Sequence, residues 1–159
     1  MGFLKGVPPC ISPDLLVALA KMGHGDEIVL ADAHFPAHSI GKSSGATVLR
    51  ADGIPVPILL SSIMRLINLD TYVTHPATVM AVAEQDKGLK VPIWDTYSKI
   101  LKQRHNGDVG IAYLERFEFY ERAKRAVVIV QTGETAKYGN IILTNGLVTP
   151  QPEIPFWES

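Results

Sequence analysis

One histidine stands between two glycines at residues 23–25, where a helical pattern ends and a buried-strand pattern begins. The two glycines leave His24 with little steric protection, so a ligand could reach its imidazole. Because an imidazole exchanges protons near neutral pH, His24 is a candidate acid/base group. Asp32 ends the following strand pattern, and we expect its carboxylate to lie beside His24 and fix its tautomer. Alternatively, His24 covers the helix end, where the helix dipole favours a cation, and Asp32 caps the next turn.

A second candidate group lies in "ERFEFYERAK", residues 115–124, which has a helical pattern. Arg116 and Tyr120 are four residues apart and therefore share one face of a helix. A guanidinium beside a phenol presents hydrogen-bond donors at fixed geometry, which suits a neutral ligand with many hydroxyl groups. Alternatively, Arg116 pairs with a nearby glutamate and Tyr120 is half-buried packing.

The third candidate is the polar loop "TGETAKYGN", residues 132–140, between two strand patterns. Tyr138 and Asn140 flank Gly139, where the absence of a side chain would let the backbone come close to a ligand. Asp70 is a further carboxylate at the boundary of a possible strand. Ordinary loop positions are the alternative for all of these residues.

The elements that must position these side chains alternate between helix and strand. Ser12 and Pro13 predict the start of a first helix, which Gly23 ends. Continuous apolar runs at 28–31 and 127–130 predict strands covered on both faces. The other predicted helices cover 57–67, a segment beginning near Pro76, 94–104 and 117–125, and the other predicted strands are 47–49, 71–73 and a terminal hairpin of 140–143 with 147–148.

This alternation predicts an α/β sheet with helices on both faces and an irregular stretch at 35–45. A length of 159 residues suits a single domain over the whole chain, with 149–159 as a carboxy-terminal tail. In such sheets, ligands bind beyond the carboxyl ends of the strands.

Composition excludes several classes of protein. The net charge of −1, with no block of Lys and Arg, gives no basic surface for nucleic acid or an anionic membrane. Cys10 is the only cysteine, so we expect no internal disulfide and no cysteine-rich zinc site. No apolar run could span a bilayer, and the first residues do not have a signal-peptide pattern. We therefore expect a cytoplasmic protein.

Two apparent motifs lack residues that their usual functions require. "GKSS" at 41–44 lacks the earlier glycine of a phosphate-binding loop, because Pro36 stands in its place. His34 and His38 have the spacing of metal ligands on a helix, but Pro36 lies between them and no carboxylate completes the set. We interpret both histidines as exposed loop residues.

Four segments, "MGHGDEIVLAD", "LDTYV", "ERFEFYERAK" and "TGETAKYGNIIL", resemble the ribose pyranase/fucose mutarotase family, and specifically its fucose branch. The resemblance extends from about Gly6 to Val148. In ribose-specific members a histidine stands at the position of Arg116, which favours fucose over ribose.

The resemblance implies a three-layer α/β/α fold with a central, mainly parallel sheet, assembled into a ring-shaped homodecamer with active sites near subunit contacts. It implies interconversion of α- and β-L-fucose without metal or organic cofactor. His24 and Tyr120 would be the catalytic acid/base groups. The sugar would be bound by five further residues: Asp32, Asp70, Arg116, Tyr138 and Asn140.

Three other functions stay open from the sequence. The chain could open the ring of ribose by the same chemistry, as a ribose pyranase does. It could bind a sugar without catalysis, although a pure binder has no need of a paired acid and base. It could also serve chiefly as a ring-forming assembly domain.

Overall fold

The computed structural model describes residues 2–105 and 107–149. These residues form five α-helices and six β-strands. The helices are α1 (Pro13–Lys21), α2 (Ala37–Ser44), α3 (Val56–Ile63), α4 (Pro92–His105) and α5 (Arg116–Ala123), and the strands are β1 (Glu27–Ala31), β2 (Thr47–Ala51), β3 (Ala77–Met80), β4 (Ile111–Leu114), β5 (Val128–Thr132) and β6 (Ile141–Thr144).

The strands form one sheet in the order β2-β5-β1-β6-β3-β4. β1 pairs in parallel with β5, with Ile28 opposite Val128, and β5 pairs in parallel with β2. β3 and β4 are also parallel, whereas β6 runs antiparallel to both of its neighbours, β1 and β3. The prediction of a mainly parallel central sheet is therefore confirmed.

The side chains of β1 point alternately to the two faces of the sheet, which explains the three layers. Ile28 and Leu30 face a core with the buried residues of α1, α3 and α4, whereas Val29 and Ala31 face a second core with those of α2 and α5. Successive strand residues point to opposite faces, so a strand covered on both sides is apolar throughout. The continuous run at 28–31 is apolar for this reason, and the three-layer α/β/α prediction is confirmed.

The first helix begins as the sequence predicts. The Leu15 amide donates a 3.1 Å hydrogen bond to the Ser12 hydroxyl, and Pro13 is the first helical residue. In the part of the chain that the structure describes, no helix is both long and apolar enough to cross a membrane.

Three predictions about local structure are wrong. Residues 37–44 form α2 rather than an irregular stretch; the helix has no side-chain cap and packs closely on β2, where Gly41 lies against Val48. Residues 71–73 form no strand, and the segment after Pro76 is strand β3, not a helix. The sequence also gave no prediction for β4.

The predicted terminal hairpin is absent from the described residues. β6 pairs with β1 and β3, and residue Asn145 forms an isolated bridge with Leu69, while Leu147 and Val148 are exposed. The tail from residue 150 onward, including Trp157, lies outside the described residues.

Candidate functional site

The candidate site residues divide between the two ends of β1. His24 precedes this strand and Asp32 follows it, so the five extended residues of β1 lie between them and span roughly 17 Å at about 3.3 Å per residue. The expectation that Asp32 lies beside His24 within one chain is therefore wrong. An extended strand carries its two flanking residues apart, and no turn intervenes to bring them together.

A cavity of about 410 Å³ lies beyond the carboxyl ends of the parallel strands β1 and β5. It brings together five of the seven predicted site residues: Asp32, Arg116, Tyr120, Tyr138 and Asn140. The remaining lining residues are His34, Phe35, Met80, Ala83, Gln85, Asp86 and Lys137. The location agrees with the expectation for an α/β sheet, and the size suits a small ligand.

Asp32 and Asn140 form the buried floor of the cavity. The Asp32 amide donates to Asn140 Oδ1 at 2.7 Å, and Asn140 Nδ2 donates to Asp32 Oδ2 at 3.0 Å. The other carboxylate oxygen accepts the His34 amide at 3.0 Å. Burial raises the pKa of the Asp32 carboxyl above its usual value, against the opposing effect of these hydrogen bonds. Two polar groups, one directly after β1 and one directly before β6, are thus held at fixed positions.

Arg116 and Tyr120 stand on one face of α5, as predicted. Arg116 Nε donates a 3.1 Å hydrogen bond to the Tyr120 hydroxyl oxygen, and the guanidinium carbon lies 5.5 Å from the Tyr120 ring centroid. The hydrogen bond to Tyr120 raises the pKa of the Arg116 guanidinium. The Phe35 ring packs edge-on against Tyr120, with centroids 5.5 Å apart, and fixes its position. A phenol that accepts from a guanidinium can transfer its own proton and be stabilised as phenolate.

The Tyr138 hydroxyl is fixed from two sides. It donates to Asp86 Oδ2 at 2.6 Å and accepts the Ala83 amide at 3.2 Å. Its backbone has a φ of 59°, and its carbonyl accepts the Trp94 indole N–H at 3.0 Å. The hydrogen bond to Asp86 raises the pKa of the Tyr138 phenol, which therefore stays protonated. The Tyr138 hydroxyl is thus a hydrogen-bonding group held at a fixed position.

His24 lies at the opposite end of β1 from this cavity, with Asp70. The His24 Nε2 and Asp70 Oδ1 atoms are 2.9 Å apart, and the Tyr72 amide donates to the same carboxylate oxygen at 2.9 Å. The Tyr72 amide and His24 together lower the pKa of Asp70, which therefore stays ionised. The Tyr72 ring stands 5.2 Å from the His24 ring, and Gly25 has a φ of +86°, which favours glycine. His24 is thus oriented by a buried carboxylate and exposed to solvent.

Several residues that shape the cavity were not predicted from any sequence pattern. Asp86 lines it from a 3₁₀ turn at Glu84–Asp86. Glu134 is buried and accepts the amides of Val56 and Ala136, while the buried Tyr97 hydroxyl donates to the Gly139 carbonyl at 2.6 Å. Glu134 is 78 residues from Val56 and Tyr97 is 42 residues from Gly139, so no spacing could reveal these two contacts.

The two histidines interpreted as exposed loop residues have different positions. His34 lines the cavity with an exposed side chain, whereas His38 is an exposed residue of α2. Across residues 2–105 and 107–149, no group of three or more metal-ligating side chains comes together.

Comparison with known proteins gives consistent matches. A model of the RbsD / FucU transport protein family matches residues 5–148. The fucose mutarotase of Homo sapiens is 55% identical over 155 residues, which cover 96% of this chain and 99% of that protein. The structure of FucU from Bifidobacterium longum is 46% identical with a TM-score of 0.86, and covers 91% of this chain and 100% of its own. The structure of the fucose mutarotase from Streptococcus pneumoniae in complex with L-fucose is 47% identical with a TM-score of 0.83, and covers 92% of this chain and 100% of its own.

Proposed function

This chain belongs to the RbsD / FucU transport protein family, and we propose that it is an isomerase that interconverts α- and β-L-fucopyranose. The observation that carries the proposal is the cavity at the carboxyl ends of β1 and β5. It combines a phenol beside a guanidinium with a fixed set of amide, carboxylate and hydroxyl groups. Such a set fits a neutral sugar, whose only hydrogen-bonding groups are its hydroxyl groups and its ring oxygen.

The reaction opens and recloses the pyranose ring. One group removes the proton of the anomeric hydroxyl while another protonates the ring oxygen, and the bond between C1 and that oxygen breaks to give an aldehyde. Rotation about the C1–C2 bond presents the other face of the carbonyl, and the reverse transfers close the ring to the opposite anomer. Both groups must therefore act as acid and as base in turn.

Tyr120 is the proposed proton-transfer group of the cavity. Arg116 donates to its oxygen and would stabilise the phenolate while the proton is on the sugar. Asp32, Asn140 and Tyr138 hold the sugar hydroxyls in our proposal, and Arg116 also contacts the substrate. Because these residues come from three separate segments, the end of β1, the loop from β5 to β6 and α5, the cavity would fix the sugar on several sides.

The second proton-transfer group is His24, which we place in the cavity of a neighbouring copy. Within one chain His24 and Asp70 lie at the far end of β1 from Tyr120, so they cannot act on the same sugar. Several large apolar side chains near His24 are exposed, and Tyr72 is 77% exposed; the others are Val73, Leu147 and Val148. A patch of this kind is suited to a subunit contact. Asp70 would orient His24 and approach the sugar with it.

The quaternary structure that we propose is a ring-shaped homodecamer, working in the cytoplasm as a single-domain subunit. A closed ring would repeat the contact between the surface around His24 in one copy and the cavity of the next. The single cysteine, Cys10, is free and therefore fits a reducing compartment. Analytical ultracentrifugation tests the ring, since a monomer would leave every cavity without His24.

The test of the function is saturation-transfer NMR on L-fucose at anomeric equilibrium, with D-ribose measured alongside. We expect saturation to pass between the α and β anomeric protons of L-fucose only when the protein is present. Stronger transfer with D-ribose would show that ribose, not fucose, is the preferred substrate. Line broadening without transfer would make the protein a sugar binder and overturn the proposed catalysis.

A further inference from the structure

Asp86 has a carboxylate in the cavity that the proposed reaction does not yet use. It ends the 3₁₀ turn Glu84–Asp86, is half-buried, and lines the same cavity as Tyr120 and Asn140. One of its oxygens, Oδ2, accepts the Tyr138 hydroxyl at 2.6 Å. The other, Oδ1, lies 3.6 Å from the Lys137 ammonium, too far for a direct hydrogen bond.

The hydrogen bond between Tyr138 and Asp86 decides what Tyr138 can offer to a ligand. A phenol has a single O–H donor, and here that donor is used by Asp86. The Ala83 amide occupies one acceptor position on the same oxygen. Tyr138 can therefore accept one hydrogen bond from a sugar hydroxyl but cannot donate one.

Asp86 itself keeps free accepting capacity. A carboxylate offers about four lone-pair positions, of which the Tyr138 hydroxyl fills one. The hydrogen bond from Tyr138 and the nearby Lys137 ammonium lower the pKa of Asp86, so the group stays ionised in the neutral range. Hydrogen bonds from a hydroxyl to an ionised acceptor are stronger than those between neutral groups.

We propose that Asp86 is a further substrate-binding residue, which accepts a hydrogen bond from a hydroxyl of the sugar through the oxygen that Tyr138 does not use. The inference rests on the proposed function, because it takes a monosaccharide as the occupant of the cavity. It also assigns a direction to each contact on this wall: Asp86 and Tyr138 both accept, so the sugar hydroxyls that face them both donate. Arg116, which also lines the cavity, can only donate.

The test combines Asp86→Asn with Tyr138→Phe in a double-mutant cycle. An amide is a weaker acceptor than a carboxylate, so we expect Asp86→Asn to raise the KM for L-fucose roughly ten- to hundredfold, with kcat changed much less. Because the contact is direct, a comparable increase should persist in the Tyr138→Phe background, where Asp86 no longer has a phenol to position. L-fucose affinity from NMR titration gives the same comparison independently of turnover.

Glu84→Gln is the matched control, since Glu84 lies in the same 3₁₀ turn and its side chain is 85% exposed. It should leave KM unchanged. An unchanged KM in Asp86→Asn overturns the inference, and so does an increase that vanishes in the Tyr138→Phe background, which would make Asp86 a positioning residue that acts through Tyr138. Absence of anomer exchange in the wild-type protein would instead overturn the proposed function, and the affinity titration would still decide the role of Asp86.

Discussion

At the scale of single residues, the hydrogen bond from Arg116 distinguishes Tyr120 from Tyr138. Both are phenols of one cavity, but Tyr120 accepts from a cation whereas Tyr138 donates to a carboxylate. A neighbouring cation stabilises a phenolate, and a neighbouring carboxylate opposes it. For this reason our proposal gives proton transfer to Tyr120 and orientation of the sugar to Tyr138.

Replacing Tyr120 by phenylalanine removes the phenolic hydroxyl and leaves the ring that packs against Phe35. We expect kcat for L-fucose anomer exchange to fall about 10²- to 10⁴-fold with KM nearly unchanged, since general acid/base groups contribute factors of this size. Tyr113→Phe is the control, because Tyr113 is exposed and does not line the cavity. Equal losses in binding and rate would make Tyr120 a binding group only.

The low pKa of Asp70 gives a pH dependence of stability. A carboxyl whose pKa is lower in the folded than in the unfolded state stabilises the fold above its unfolded value, near 4. That contribution is lost as pH falls through the lower, folded value. Asp70→Asn should therefore reduce the free energy of unfolding by about 1 to 2 kcal/mol at pH 7, because it weakens two hydrogen bonds to a buried acceptor.

Urea unfolding of wild type and Asp70→Asn at a series of pH values measures this difference. The difference in the free energy of unfolding should become smaller as the pH falls below about 4, because only the wild-type protein loses the stabilisation by an ionised Asp70. A gap that is constant down to pH 2 would show that Asp70 stabilises the fold by packing and not by its charge.

At the scale of elements, the loop from β5 to β6 decides where Tyr138 and Asn140 stand. Three partners fix it: Glu134 accepts the Ala136 amide, Tyr97 donates to the Gly139 carbonyl, and Trp94 donates to the Tyr138 carbonyl. Trp94 and Tyr97 belong to α4. This helix therefore supports the cavity from behind, although none of its residues lines it.

Gly139→Ala tests the close packing of this loop. An added methyl group would lie 2.9 Å from the Ala136 carbonyl oxygen and 3.0 Å from Glu134 Cγ, so the loop must shift. We expect a loss of about 1 to 3 kcal/mol in the free energy of unfolding, typical of overpacking, together with weaker binding of L-fucose. Gly2→Ala, where the methyl group meets nothing within 4 Å, should change neither quantity. If Gly139→Ala is destabilised but its affinity for L-fucose is unchanged, the packing of this loop does not contribute to sugar binding.

At the scale of the whole molecule, the separation of His24 from Tyr120 by the length of β1 makes the proposed catalysis depend on assembly. His24→Ala and Tyr120→Phe should each be nearly inactive while the assembly survives. If the two variants are dissociated, mixed equally and reassembled, about a quarter of the sites should combine an intact His24 with an intact Tyr120, because each is present in half of the chains.

Saturation transfer on the reassembled mixture measures this recovery, and an unmixed sample of each variant is the control. Activity that returns only after reassembly supports a site shared between copies. A mixture that stays as inactive as its components would overturn the role of His24 in a neighbour's cavity.

The sequence by itself determined the elements whose pattern is local. The apolar runs at 28–31 and 127–130, the Ser12 cap and the helical spacing of Arg116 and Tyr120 depend on neighbours along the chain, so strand, helix start and shared face could all be predicted. The segments around His24, Arg116 and Tyr138 were long and specific enough to indicate the family. The polar loop around Gly139 made Tyr138 and Asn140 candidates, and the resemblance added their expected sugar-binding roles.

Only the tertiary structure decided which of these groups meet. Asp32 pairs with Asn140, 108 residues away, and His24 pairs with Asp70, 46 residues away, because the sheet order β5-β1-β6 sets which strand ends are neighbours. The same order made β6 an interior strand instead of half of a hairpin, since both of its edges are already occupied by β1 and β3. Strand pairing is a long-range choice governed by burial of both faces of the sheet, and no local spacing encodes it.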